Sequence, residues 1–255
     1  MSAVHVPDRS LPARVTRRVM PFCLQKNIEI KLDKPIVSFS FDDCPKSVVE
    51  NALPLFDREH WKVTLYMAMG LCETTNHLGL HMSRSDVKAA YKSGHEIADH
   101  TYDHIDATTV SAHDFENNIT KNQECLDSVG VSPSKTFAYP YGQLNLATKK
   151  IIDQKFKGGR GITSRIHTKN ADLNQIGSNR LYNDESYDAL MTDISNLNQT
   201  SSWITIFTHD VRETPSQFGC QPKQLEAVID AVKNTGADVM TIADAITHLE
   251  TRNAY

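Results

Sequence analysis

The 255-residue sequence contains no run approaching 18 apolar residues, so it predicts no bilayer-spanning helix. It also lacks a CxxC pair. Its five cysteines (Cys23, Cys44, Cys72, Cys125, Cys220) are odd in number and widely scattered, which argues against a disulfide framework and against a thiolate zinc site. Charge of neither sign forms a long run. With a formal net charge of −4 and a pI near 6.2, neither nucleic acid nor an anionic membrane is expected as the main partner. There is no Pro/Ser-rich linker and no internal repeat, which favours one main domain. Gly158-Gly159-Arg160-Gly161 is without the lysine and hydroxyl of a phosphate loop and reads as a turn. The first twenty residues are basic but broken by Pro7, Asp8 and Pro12, with no apolar block of signal-peptide length; as written, the chain reads as cytoplasmic.

What the chain does have is an ordinary globular composition, 40% hydrophobic and 23% charged, in a length that can bury a substantial core. Short β-rich runs alternate with helix-compatible stretches: Ile36 to Phe41 and Lys46 to Glu59, Val63 to Met67 and Arg84 to Ser93, Glu96 to Ala98 and His113 to Val129, Thr136 to Tyr139 and Asn145 to Gln154. Beyond the glycine-rich turn come a strand over Gly161 to Thr163 and a long polar loop over Thr168 to Asp184. Asp188 to Leu197, Trp203 to Thr208, Gln221 to Asn234, Asp238 to Ile242 and a last helix follow. This repetition predicts an α/β fold with a parallel sheet, open or closed into a barrel. Ser85 and Pro222 mark helix starts, and Gly94, Gly130 and Gly236 follow helix ends.

Ligands of parallel α/β folds gather at the carboxyl ends of the strands. The run Ile36-Val37-Ser38-Phe39-Ser40-Phe41 stops there on two adjacent acids, Asp42 and Asp43. After Glu96-Ile97-Ala98 comes Asp99-His100-Thr101-Tyr102-Asp103-His104, whose histidines are spaced i, i+4; on a helical turn both rings project from one face and can bind one ion. Two imidazoles and a carboxylate form a divalent-metal donor set, and a cation held by Asp43 lets Asp42 stay nearby as a base. Thr136 to Gly142 ends another strand in a turn, and Trp203 to Asp210 ends a further one on His209, a candidate proton donor if it shares the rim.

SFDDCP, HTYDH, FAYPYG and FTHD, in that order over about Pro35 to Ile246, resemble the successive motifs of the NodB-homology polysaccharide deacetylases, carbohydrate esterase family 4. The resemblance implies a distorted (β/α) barrel of seven or eight strands over residues 35–255, with residues 1–34 as an arm packed on it. It further implies a metal-dependent hydrolase of C–N bonds acting on an acetylated carbohydrate. Asp43, His100 and His104 would hold the ion, zinc first, with cobalt, manganese or nickel as alternatives. Asp42 would deprotonate the water that the ion activates, the backbone N–H of Tyr141 would stabilise the oxyanion, and His209 would protonate the leaving amine.

Three positions depart from the family pattern. Cys44 stands where a glycine is usual, and Ala138 replaces the arginine that partners the base, a charge that Arg160 is a candidate to restore. The acid that tunes the histidine has only weak candidates, Asp172 and Asp184. Two alternatives accompany the reading: a deacylase of O-acetyl esters or of a formamide or amide on a small or lipid-linked substrate, and a non-catalytic carbohydrate-binding protein of the same fold. Sugar identity and oligomeric state are not encoded in these motifs.

Overall fold

The computed structural model describes residues 10–197 and 201–254; of the basic, proline-broken start of the chain, Pro7 and Asp8 lie outside these residues. The main sheet is a curled path of seven parallel strands in the order β11-β12-β2-β3-β6-β7-β8. These are β2 (Ile36–Asp42), β3 (Thr64–Met67), β6 (Glu96–Asp99), β7 (Thr136–Ala138), β8 (Gly158–Arg160), β11 (Asn179–Arg180) and β12 (Trp203–Thr208). β13 (Asp238–Val239) adds to the lower half of β2, and β9 (Ile166–His167) runs antiparallel to β12. A bridge between Arg160 and Ile176 draws the β8 side toward the segment leading to β11, giving the distorted (β/α) barrel. Helices α2 (Leu53–Arg58), α3 (Arg84–Lys92), α4 (Ala112–Ser128), α5 (Leu146–Lys155), α6 (Ser186–Ser195), α7 (Pro222–Thr235) and α8 (Ile242–Asn253) complete the repeat. None of the described helices is long and apolar enough to cross a membrane.

The period-2 alternation of β2 divides its residues between two environments. Val37, Phe39 and Phe41 pack outward with Val48, Phe56, Leu225 and Val228 beneath the helices. Ile36, Ser38, Ser40 and Asp42 face the barrel interior, where Ser38 Oγ accepts from Trp203 Nε1 at 3.0 Å. That interior is polar at its lower end: Glu96 accepts from Thr64 Oγ1 (2.8 Å), Thr136 Oγ1 (2.5 Å) and the Ala243 N–H (3.0 Å). Helix α8 closes the bottom through Ile242, Ala245, Ile246 and Leu249 against Ile36, Tyr66 and Trp203. Asp42 therefore sits at the open, upper end of an otherwise sealed barrel.

Several local expectations are corrected. Gly158-Gly159-Arg160 is a strand, not a turn, and the strand expected over Gly161 to Thr163 is irregular chain. Glycine is required there by space: a Cβ at Gly158 would lie 2.8 Å from Ile246 Cδ1, and one at Gly159 2.8 Å from Ile152 Cγ2. The cap of α3 is Ser83, not Ser85, in a reciprocal box with Asp86. The polar loop over 168–184 contains two short strands, β10 (Asn170–Asp172) and β11. β10 pairs with β1 (Asn27–Glu29) from the N-terminal segment, which also forms α1 (Leu11–Val19). Beside that pair, fully buried Lys149 donates to Asp172 Oδ2 (2.7 Å) and to the Met20 carbonyl (3.2 Å). A small hairpin, β4 (Thr75–Asn76) with β5 (Gly79–Leu80), lies between β3 and α3.

Candidate metal centre

Asp43, His100 and His104 offer three ligand atoms within 4.8 Å of one another. His104 Nε2 lies 3.2 Å and His100 Nε2 3.6 Å from Asp43 Oδ1, and the two imidazole centroids are 4.7 Å apart. The histidines do not share a helical turn, contrary to the i, i+4 expectation. Residues 100–104 are a non-helical loop with left-handed φ at Thr101 (59°) and His104 (51°). Helix α4 holds that loop open, Asn118 Oδ1 accepting from the N–H groups of Tyr102 (2.7 Å) and Asp103 (2.9 Å). Asp99 Oδ1 accepts from the Thr101 N–H at 2.8 Å, and burial pushes the Asp99 carboxyl up to about 7.

The donor set fits a divalent cation on three counts. Asp43 Oδ1 is buried without a hydrogen-bond partner, a vacancy costly unless a positive charge fills it. His100 Nδ1 donates to the Ala138 carbonyl at 2.8 Å, which leaves Nε2 to ligate. Burial, with the neighbouring His104, brings His100 down to about 4, so its ring is neutral at physiological pH. For Asp43, burial opposes ionisation, but His104, His100 and His209 outweigh it and lower the carboxyl to about 2. Left-handed φ also occurs at Asp43 (58°), Cys44 (50°) and Tyr141 (58°). Five non-glycine residues around one site thus adopt a conformation that side chains disfavour. At position 44 this accounts for the glycine of the family pattern; here a fully buried thiol occupies it, raised well above its ordinary value by burial and by Asp42 and Asp43.

Asp42 forms a buried ion pair with Arg160, whose guanidinium lies over the rings of Phe207 (4.7 Å) and Tyr66 (5.1 Å). Ala138 on β7 is the in-register partner of Arg160 on β8, so the two side chains occupy one face on adjacent strands. The Tyr141 ring packs edge-on against His104, a member of the donor set, with centroids 4.4 Å apart. His209 directly follows β12 on the same rim, between the rings of Phe218 (5.6 Å), Tyr182 (6.0 Å) and Phe207 (6.2 Å). Its Nδ1 donates to the Phe218 carbonyl at 3.1 Å. Asp172 and Asp184 take no part: the first pairs with Lys149, and the second accepts from the Ser186 N–H at 2.8 Å. Sequence reasoning missed the Phe218 carbonyl, because a backbone acceptor nine residues downstream leaves no side-chain signal. It also passed over buried His81, which lies beside Pro45 and interacts electrostatically with Asp43.

Residues 29–155 match the family model described as polysaccharide deacetylase. Over 220 residues the chain is 23% identical to a protein named "Probable peptidoglycan-N-acetylglucosamine deacetylase" from Arthroderma benhamiae; the match covers 84% of this chain and 44% of that relative. Among solved structures, a family 4 acetyl xylan esterase from Clostridium thermocellum in complex with a cobalt ion superposes with a TM-score of 0.60 at 18% identity, covering 86% of this chain and 92% of that one. A Bacillus anthracis pseudoenzyme of the same family gives 0.62 at 14% identity, covering 86% and 68%. By the ordered motifs, the matched family model and the shared barrel, the chain belongs to the NodB-homology polysaccharide deacetylases, carbohydrate esterase family 4.

Proposed function

We propose that this protein is a metal-dependent hydrolase that removes the acetyl group from an N-acetylated sugar of an oligo- or polysaccharide. The observation that carries the reading is one rim bearing a divalent-cation donor set, an arginine-paired carboxylate and a histidine with one committed nitrogen. The Arthroderma relative, named as a peptidoglycan-N-acetylglucosamine deacetylase, supports an N-acetylated sugar as the substrate class. Residues 35–255 form the catalytic domain in this proposal and residues 1–34 its arm, a division supported by the clasp of Lys149 on the Met20 carbonyl.

Asp43, His100 and His104 would hold the ion, with zinc the first choice and cobalt, manganese or nickel as alternatives. When bound, such an ion lowers the pKa of water and polarises the acyl carbonyl. Asp42 takes the proton from the attacking water, oriented and neutralised by Arg160. The Tyr141 backbone N–H donates to the acyl oxygen as charge develops there. His209 Nε2 passes a proton to the departing nitrogen, a step the reaction requires because an amine anion leaves very poorly.

A second reading, an O-acetyl esterase, is favoured by the partner of His209: a carbonyl dipole supports an imidazolium less than a carboxylate would, and an alkoxide demands less of its acid. Acetate and formate release over a panel of acylated saccharides, with metal removed and then restored, tests both. Metal-restored acetate release from N-acetylglucosamine oligomers supports the amidase, and release from esters alone moves the assignment to the second reading. No release from any substrate overturns both and leaves a non-catalytic carbohydrate-binding protein, in line with the Bacillus anthracis pseudoenzyme.

A further inference from the structure

A histidine can protonate a leaving group only if the correct ring nitrogen faces it, and the loop after His209 fixes that choice. The Phe218 carbonyl accepts from His209 Nδ1 (3.1 Å) and from the His209 backbone N–H (3.2 Å). A carbonyl only accepts, so Nδ1 carries hydrogen and Nε2 is left for the substrate. The place of that carbonyl depends on Asp210, a fully buried residue that the mechanism above does not use. Asp210 Oδ1 accepts from Ser216 Oγ (2.5 Å), and its Oδ2 accepts from the Ser216 N–H (2.8 Å) and pairs with Arg212 Nε (2.7 Å). Ser216 Oγ in turn accepts from the Phe218 N–H at 3.1 Å. The Cys220 N–H donates to the Asp210 carbonyl (3.0 Å) and the Arg212 N–H to the Cys220 carbonyl (3.1 Å), which closes the loop on itself. Gly219 presses so close that a Cβ there would collide with the backbone oxygen and Oδ1 of Asp210.

We infer that Asp210 is a positioning residue for the reaction: through Ser216 and the Phe218 carbonyl it holds His209 in the Nδ1–H form, the task otherwise given to a carboxylate bonded directly to the ring. This rests on the reading of His209 as the acid. It accounts for how the site works although neither Asp172 nor Asp184 reaches His209.

The test compares metal-loaded wild type with Asp210→Ala, Asp210→Asn and Ser216→Ala on an N-acetylglucosamine oligomer and on 4-nitrophenyl acetate, whose nitrophenolate leaves without a proton. Asp210→Ala is expected to lower kcat on the amide by about 10–100-fold with KM changed less than about twofold, and to leave the ester rate within about twofold. Asp210→Asn keeps an acceptor for Ser216 and should recover part of the loss. The ring ¹⁵N shifts of His209 should lose the pure Nδ1–H pattern in Asp210→Ala and keep it in the wild type. Parallel loss on amide and ester, or an unchanged tautomer, overturns the inference and makes Asp210 a loop brace only. Should Asp210→Ala fail to fold, Ser216→Ala carries the same test, with the amide-selective loss expected at about 3–10-fold. The tautomer measurement needs no turnover. A wild type inert on amides with an intact Asp210-dependent tautomer therefore refutes the proposed reaction, not the positioning.

Discussion

Arg160→Ala removes one partner of a fully buried ion pair. The Arg160 side chain is 0% and that of Asp42 5% exposed, so water does not screen the loss. Breaking such a pair costs about 3–5 kcal/mol, because the remaining charge stays buried and alone. At ~2–4 °C per kcal/mol for a chain of this length, the melting temperature should fall by about 6–20 °C. Acetate release should fall too, by ~10–100-fold, as the base loses its orientation. Ala138 provides the control, since it is the register partner of Arg160 and presents its side chain on the same face one strand away. Ala138→Arg alone forces a second guanidinium into filled space and should destabilise. In the Arg160→Ala background the same arginine can occupy the vacated volume and face Asp42 again. The double variant should be at least ~1 kcal/mol more stable than the sum of the single effects, and more active than Arg160→Ala. Denaturant unfolding and acetate release on the four proteins measure this cycle. Strict additivity would refute the idea that the family's charge has moved sideways by one strand, and a melting shift under ~2 °C in Arg160→Ala would refute the buried pair itself.

Chelation should lower the melting temperature by ~5–11 °C if the ion is present at about 100 times its Kd, where linkage adds about 2.7 kcal/mol, and should leave Asp43→Ala unchanged. Burial holds His81, His95 and His167 below their ordinary pKa, so in each case the unfolded chain binds protons more readily than the folded one just below pH 6.5. Stability of the metal-depleted protein should therefore be full above about pH 7 and fall as pH drops through 6.5, by up to ~1.4 kcal/mol per pH unit for each ring. A melting temperature that is flat or rising from pH 7.5 to 5.5 contradicts this. Cys44→Gly relieves a left-handed φ worth ~1–2 kcal/mol and empties a buried site worth about as much. Unfolding free energy should change by less than ~1 kcal/mol with metal affinity preserved, and a loss above ~3 kcal/mol would show that the thiol, not the turn, holds the site together.

Strand β2 and its acids were legible because Val37, Phe39 and Phe41, which pack under the helices, alternate with Ser38, Ser40 and Asp42 of the polar barrel interior, a period-2 signal of a strand. The helix starts at Asn145 and Gln221 follow from local side-chain chemistry, as do the left-handed glycines at 94, 130 and 236, whereas the strand expected over Asp238 to Ile242 stops at Val239 and Thr241 caps α8. Where the reading failed, long-range packing overrode local preference. Gly158 and Gly159 look like a turn, yet they are a strand because they pair in parallel with Thr136 and Phe137 of β7, and their missing Cβ atoms leave space for Ile246 and Ile152. His100 and His104 come together beside Asp43 without a helix because Asn118, fourteen residues downstream of His104, ties the loop down. The pairing of β1 with β10 joins residues some 143 positions apart, which no local pattern encodes. At the site, side chains with charge or imidazole chemistry were found from their types and order. Arg160 was found only as a candidate, since its match to Asp42 depends on the register of β7 with β8.

The most direct test of the central claim is a calorimetric titration of zinc into metal-depleted protein at pH 7.5, run on the wild type and on His104→Ala. The account expects one ion bound per wild-type chain and affinity at least ~100-fold weaker in the variant, with His104→Ala still folded. Equal affinity in both proteins, or no saturable binding in the wild type, would contradict it.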